Sequence, residues 1–374
     1  MQILWIPLLL LALFGLELYL YQTNWSSHLR VTLHFPGQAV TEGETSILTE
    51  EITNRNFLPF PLLQVHYQLR LGLTFSPQIK SVHTDRTTLT DIFSLGFYEK
   101  RTRDVEIIDT KRGYYTILDA QINTDDLFHL RHFLMDTAQD TAMYVYPKCL
   151  DGEQIEVTFQ HILGDVLSRR FLYEDPFTFR GIREYRAGDP ERSVNWKASA
   201  RSTSLQVNVH DHTAGQQVML LLNLEAPAIL YSSELLENGI RLARTYAELL
   251  MEQQIPTGLS TNGMDVLLHS RIRLEPGSTG AHRIAFAQAL ARIDLLQNCV
   301  PFATCLREVS AEAGDATQMT YVLISSATGD ALCREAARLS STAGGLLWIC
   351  PLTAGLHQAE VNIPGVTFLP VLFH

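Results

Sequence analysis

The sequence predicts a multidomain protein: an N-terminal transmembrane helix, then an antiparallel β-sandwich, then an α/β doubly wound domain. Three observations predict this. Residues 3–21 read ILWIPLLLLALFGLELYLY, apolar throughout except for Glu17. Over residues 30–148 short runs alternate apolar and polar side chains, the period of half-buried strands. From about residue 215 onward, continuous apolar runs alternate with segments of helical spacing, the pattern of a parallel sheet covered on both faces.

Size and charge set the outer bounds. A chain of 374 residues is long enough for two or three domains, each with its own core. The formal net charge of −11 argues against a general nucleic-acid binder, which needs a broad basic surface. Cys149, Cys299, Cys305, Cys333 and Cys350 are odd in number and contain no CxxC pair. That pattern fits free thiols in a reducing compartment better than a disulfide framework or a zinc site.

The N-terminal segment, assigned to residues 1–25, is read as a single membrane anchor. At ~1.5 Å rise per residue, Ile3–Tyr21 reaches roughly 28 Å, close to the thickness of a bilayer core. A signal peptide would carry a basic start and a small-residue cleavage site. Met1-Gln2 and LYLYQTNW supply neither. Arg30 and the basic residues beyond it place the body on the cytoplasmic side by the positive-inside rule. The expected location is therefore the inner (cytoplasmic) membrane, single-pass. Glu17, near the end of the span, either reaches the interface or faces another helix.

Residues 30–148 follow as an Ig-like sandwich. Val31, Leu33 and Phe35 show period-two spacing, as do Leu63, Val65, Tyr67 and Leu69. FPGQ, TEGE and NRNFLPFP place Gly, Pro and Asn where turns are needed. No catalytic cluster stands out in this region, which points to spacing or protein contact.

Residues 215–374 form the α/β domain. VMLLLNL (218–224), PTGLST, TYVLISS and LLWIC read as strands, and Ser233–Gln253 has helical spacing. Gly344-Gly345 is placed to end a helix. Open parallel sheets bind ligands at their strand C-termini. Here these edges offer Asn223, Glu225 and Pro227, and then Ser325, Ser326, Thr328 and Asp330. A Mg²⁺ site of the Asp-x-Ser-x-Ser type needs converging hard oxygens. Asn223 and Glu225 can offer oxygens and Pro227 cannot, so the site is read as degenerate and no cofactor is expected. His210 and His212 form an H-x-H that lacks a third ligand and is read as an exposed edge strand. Phosphate-binding loops of either common pattern are absent, as is G-x-S-x-G.

Residues 149–214 are read as a linker carrying an Arg/Asp/Trp motif, REYRAGDPERSVNWKASAR. Gly188-Asp189-Pro190 is a turn signal, and Asp189 is placed to cap the segment that follows. Arg183 and Arg192 can hold Glu184 or Asp189 in bidentate pairs, with Trp196 over an apolar seam and Lys197 and Arg201 outward. Two uses remain open, an interdomain clasp and a partner-docking surface, since Trp and Arg are frequent interface anchors.

At this motif the chain resembles the bacterial and archaeal family catalogued as domain of unknown function 58. The resemblance is carried by Arg183, Glu184, Tyr185, Gly188, Asp189, Arg192, Asn195, Trp196, Lys197, Ala200 and Arg201. KRGYYTILDAQINTDDLFHL and MYVYPK extend it, and it covers most of the chain from about residue 30. The resemblance implies a membrane-anchored protein with a sandwich and a von Willebrand A-like domain. It also implies work beside a MoxR-type AAA+ ATPase in assembling or activating other complexes. Three features depart from the family pattern: one apolar helix where two are common, Asn223/Glu225/Pro227 in place of Asp-x-Ser-x-Ser, and DDLF in place of Asp-Pro-Phe-Gly. The expected function is a non-enzymatic membrane adaptor that binds no nucleic acid. The alternative is a cell-envelope hydrolase or transferase with its site at the strand C-termini.

Overall fold

The computed structural model describes residues 5–76, 81–83, 86–172, 179–186, 191, 194–202, 204–210, 216–226, 233–297, 299–313, 319–353 and 363–373. The chain divides into two compact units, Met1–Lys148 and Cys149–His374.

The first unit opens with helix α1 (Trp5–Asn24). It is long and apolar enough to cross a membrane. Ten strands follow: β1 (Leu29–His34), β2 (Ala39–Thr41), β3 (Ser46–Asn54), β4 (Phe60–Arg70), β5 (Leu73–Phe75), β6 (Ser81–His83), β7 (Arg86–Leu95), β8 (Lys100–Thr110), β9 (Gly113–Asp125) and β10 (His132–Tyr146). They form a four-stranded sheet, β1-β3-β8-β5, and a six-stranded sheet, β2-β10-β9-β4-β7-β6. Neighbours run antiparallel except β2 and β10, which are parallel. The alternating residues read from the sequence face inward. Val31, Leu33, Leu63, Val65, Tyr67 and Leu69 are all buried and join residues of both sheets in one core.

α1 is not free along its whole length. Ile6–Leu13 are exposed, whereas Phe14, Glu17, Leu18 and Tyr21 recur at helical spacing on a face that turns inward. The Tyr21 hydroxyl donates to the Pro59 carbonyl, and its ring stacks on Phe133. The Asn56 side chain donates to the Asn24 carbonyl at 2.6 Å. The last turns of the apolar helix are thus fixed to the sandwich.

The second unit begins with α2 (Glu153–Leu172). Here the structure corrects the reading of 149–214 as linker. Ile155, Phe159, Ile162 and Val166 repeat at helical spacing, and all are buried in the core of this unit. A short ribbon follows, built from β11 (Phe179–Glu184), α3 (Trp196–Ser199) and β12 (Gln206–His210). Then come β13 (Gln217–Leu222), α4 (Ser233–Glu252), β14 (Thr257–Asp265), β15 (Arg271–Gly277), α5 (Gly280–Ala291), β16 (Ile293–Asp294), α6 (Phe302–Glu312), β17 (Met319–Ile324), α7 (Asp330–Ala343), β18 (Leu346–Thr353) and β19 (Val366–Phe373).

The sheet runs β15-β14-β13-β17-β18-β19, with β16 added beside β14. Strands β14 to β19 along this path are parallel, and β15 is an antiparallel edge. This is a doubly wound α/β sheet. Its strands are apolar on both faces because both are covered. Val218, Leu220 and Leu222 point to α2, α4 and α5, while Met219 and Leu221 point to α6 and α7. Gly344 ends α7 in the left-handed conformation, φ 74°, which only glycine adopts without strain. Strand order reverses between β13 and β17, so their C-terminal ends open the crevice where such sheets receive ligands.

Candidate functional site

Two places carry the residues singled out by the sequence: the C-terminal ends of β13, β14 and β17, and the ribbon before them.

At the strand ends, Asn223, Asn262 and Ser325 form a buried hydrogen-bond web. Asn223 Nδ2 donates to Ser325 Oγ at 2.9 Å, and Ser325 Oγ donates to the Ala327 carbonyl at 2.9 Å. Asn223 Oδ1 accepts the Glu225 amide at 2.9 Å and, more distantly, Asn262 Nδ2. Asn262 Oδ1 accepts the Leu224 amide at 2.9 Å, and its Nδ2 donates to the Val300 carbonyl at 3.1 Å. The Trp348 indole donates to the Ser325 carbonyl from the neighbouring strand, locking the edge. Each buried polar group is answered by another, as a low-dielectric interior requires.

This web does not suit a divalent cation. Mg²⁺ wants oxygens with free lone pairs, carboxylates above all. The side-chain oxygens of Asn223 and Asn262 are occupied by N–H donors, and the Ser325 hydroxyl oxygen accepts Asn223 Nδ2. Among the described residues no group of three or more His, Cys, Asp or Glu could hold a metal ion. Pro227 and His212 lie outside the described residues. His210 ends β12, whose partner is β11.

Beside the web is an open cavity of about 750 Å³ lined by Leu224, Glu225, Leu236, Cys299, Thr328 and Leu332, among others. Its nucleophile candidate is poorly prepared. Burial, followed by the nearby Glu225 carboxylate, pushes the Cys299 thiol above its ordinary pKa. A catalytic cysteine needs the opposite, since the thiolate is the reactive form.

The ribbon places the motif residues differently from the sequence reading. β11 pairs antiparallel with β12, bringing Arg183 opposite Val207 and Glu184 opposite Gln206. Asn195 supplies the cap of α3, while Asp189, the cap expected from the sequence, lies outside the described residues. Its Oδ1 accepts the Ala198 amide at 2.9 Å, and its Nδ2 reaches Asn208 Oδ1 at 2.7 Å. Ser199 ties the other end, donating to the Asn195 carbonyl and accepting the Gln206 amide. Both signals were in the sequence, since Asn is a favoured cap residue directly before the WKAS turn. Arg183 donates to the Glu184 carbonyl at 3.1 Å, and Glu184 accepts the Ser204 hydroxyl at 2.9 Å. Gly188, Asp189 and Arg192 lie outside the described residues.

Trp196 is the second correction. Rather than covering an apolar seam, its side chain is 70% exposed. The turn is too short to turn a large ring inward while its cap and Ser199 bind the backbone of β12. Arg183, Glu184, Tyr185, Lys197 and Arg201 are exposed as well, so the structure gathers the described motif residues on one small, hydrogen-bonded scaffold. Ile182 and Leu205 add exposed apolar surface to the same ribbon.

No family model matches the chain. It is similar to the uncharacterized protein YeaD of Bacillus subtilis (strain 168), at 21% identity over 216 residues, 57% of this chain and 51% of that protein. The chain spans about half the length of the curated relative it matches. Among solved structures, it is similar to the CARDB domain of the PF1109 protein from Pyrococcus furiosus (14% identity, 30% of this chain and 86% of that one, TM-score 0.19). A non-cellulosomal cohesin from Archaeoglobus fulgidus (11% identity, 35% and 98%, TM-score 0.23) is a second such neighbour. Likeness at these scores decides neither fold nor activity.

Proposed function

We propose that the chain is a non-enzymatic, membrane-anchored adaptor that docks a protein partner on the β11–α3–β12 ribbon, the partner being a MoxR-type AAA+ ATPase. The observation that carries this reading is Trp196. A large aromatic left 70% exposed, on a turn fixed by Asn195 and Ser199, gains little from burial within the ribbon. Covered by a partner, it would supply an anchor of the usual kind, with Arg183, Tyr185, Lys197 and Arg201 around it. In this reading the second unit is a von Willebrand A-like domain that has lost its cation, and the self-satisfied web at Asn223 supports that loss. α1 holds the adaptor at the inner membrane with its body in the cytoplasm.

The test is a pull-down from detergent-solubilised native cells, wild type beside Trp196→Ala, read by mass spectrometry. An AAA+ ATPase recovered with wild type and lost with an equally stable variant is the expected result. Equal recovery by both, or none by either, would remove the docking assignment.

A further inference from the structure

The loop joining β9 to β10, residues 126–131, has a composition that its position on the sandwich does not explain. Leu127, Phe128 and Leu130 are all exposed there, next to one another. Yet the loop is not loose. The buried Asp126 carboxylate accepts the Leu130 amide at 2.8 Å, and the Asp126 carbonyl accepts the His129 amide at 3.2 Å. The Asp126 amide in turn donates to the Arg131 carbonyl. The Leu127 amide donates to Glu17 Oε1 of α1 at 3.2 Å. Four backbone donors of the tip are therefore satisfied without water, while its apolar side chains face outward. Such bonding lets a loop leave water, because an unpaired N–H in lipid costs several kcal/mol.

Its neighbour is the apolar helix. The Phe128 ring lies 5.3 Å from that of Phe14, and Arg131 donates to the Gln22 side chain one and a half turns beyond Glu17. Along α1, the stretch long and apolar enough to cross a membrane is Ile6–Asn24. It includes the turns from Phe14 to Tyr21, so where α1 crosses, the tip that lies along them enters with them.

We propose that the β9–β10 tip is a second membrane contact: Leu127, Phe128 and Leu130 enter the lipid alongside α1. This rests on the reading of α1 as a membrane anchor. It gives Glu17 a task, since its carboxylate is the acceptor for a tip amide rather than a charge directed at another helix. It also fixes the sandwich at two points, so the first unit cannot swivel freely about a single helix.

The test uses the full-length chain with Cys149→Ser, the exposed thiol, and one added cysteine at a time: Phe128→Cys, Leu130→Cys, or Glu106→Cys on the exposed face of β8. Each is labelled with an environment-sensitive nitrobenzoxadiazole dye and reconstituted into phosphatidylcholine–phosphatidylglycerol vesicles. Signal from Cys149→Ser alone is subtracted. The expected result is blue-shifted emission, lost on adding spin-labelled lipid, at 128 and 130 but not at 106. A water-like spectrum at both tip positions in protein that floats with the vesicles overturns the tip contact and leaves the anchor standing. Blue shift without quenching by spin-labelled lipid means that protein, such as a second copy, covers the tip, and also overturns it. Failure of the protein to float overturns the anchor and the tip together.

Discussion

Asn223 and Ser325, 102 residues apart in sequence, meet at 2.9 Å across the C-terminal ends of adjacent parallel strands. They meet at the point where strand order reverses, where a doubly wound sheet is open to a ligand. In this protein the strand ends there are tied by neutral side chains bonded to one another, with the open cavity beside them. The consequence is that the strand edge is a structural knot, and its perturbation is read in stability.

Asn223→Ala is expected to lower stability by about 2 kcal/mol, because it strips partners from the buried Ser325 hydroxyl and Asn262 amide and from the Glu225 amide. In the wild type, adding millimolar Mg²⁺ or a chelator is expected to leave the thermal midpoint unmoved. Calorimetry checks both, and a midpoint that rises with Mg²⁺ would show a cation site that the web argues against.

The sandwich interior holds a second buried polar group of interest. The carboxyl of Glu50 on β3 is buried between the sheets; burial first, and then the Asp91 carboxylate, push its pKa up to about 8. Asp91 itself is held by Arg103 Nη1 at 2.6 Å. Folded protein thus keeps on Glu50 a proton that the unfolded chain releases near its ordinary value of 4.5. The associated stability is complete below pH 4.5 and falls as pH rises through about 8. The slope is at most about 1.4 kcal/mol per pH unit. Glu50→Gln is neutral at every pH, so its stability relative to wild type should climb from pH 5 to 8 in urea titrations. A constant difference would sink the assignment.

Asp265 ends β14 almost completely buried, paired with Arg292 Nε at 2.8 Å and accepting the Leu267 amide at 2.7 Å. Asp265→Ala removes a turn acceptor and leaves a partly buried guanidinium without this carboxylate. A loss of about 3 kcal/mol is expected, measured as a shift of the denaturation midpoint with unchanged slope.

On the ribbon, stability and binding should separate. Asn195→Ala removes the cap of α3 and is expected to cost about 1 kcal/mol locally, visible as faster amide exchange at Ala198. Trp196→Ala touches little that is buried and should leave the thermal midpoint within error of wild type while abolishing partner recovery. A large drop in the midpoint would make Trp196 a structural residue and not an anchor.

Much of this architecture was legible in the sequence, where a local period matched a local environment. Val31, Leu33, Leu63 and Val65 alternate because one face of each sheet meets the core. The runs around Leu220, Val322 and Trp348 are continuous because both faces do. α2 was equally legible in principle, since Ile155, Phe159, Ile162 and Val166 mark a helical stripe, but charged and polar neighbours dilute it to the look of a linker. The Asn195 cap is hard to single out in the sequence, because Asp189 is also a good cap residue and stands beside a stronger turn signal.

The sequence by itself determined the apolar helix, the two kinds of strand and the glycine that ends α7, because each depends on residues near one another along the chain. Only the tertiary structure decided that Glu17 receives an amide from Leu127, that Asn223, Asn262 and Ser325 satisfy one another, and that Trp196 stands in water. Those outcomes depend on which polar groups meet after distant strands and loops have packed. A hydrogen bond between residues a hundred positions apart leaves no period for the sequence to display.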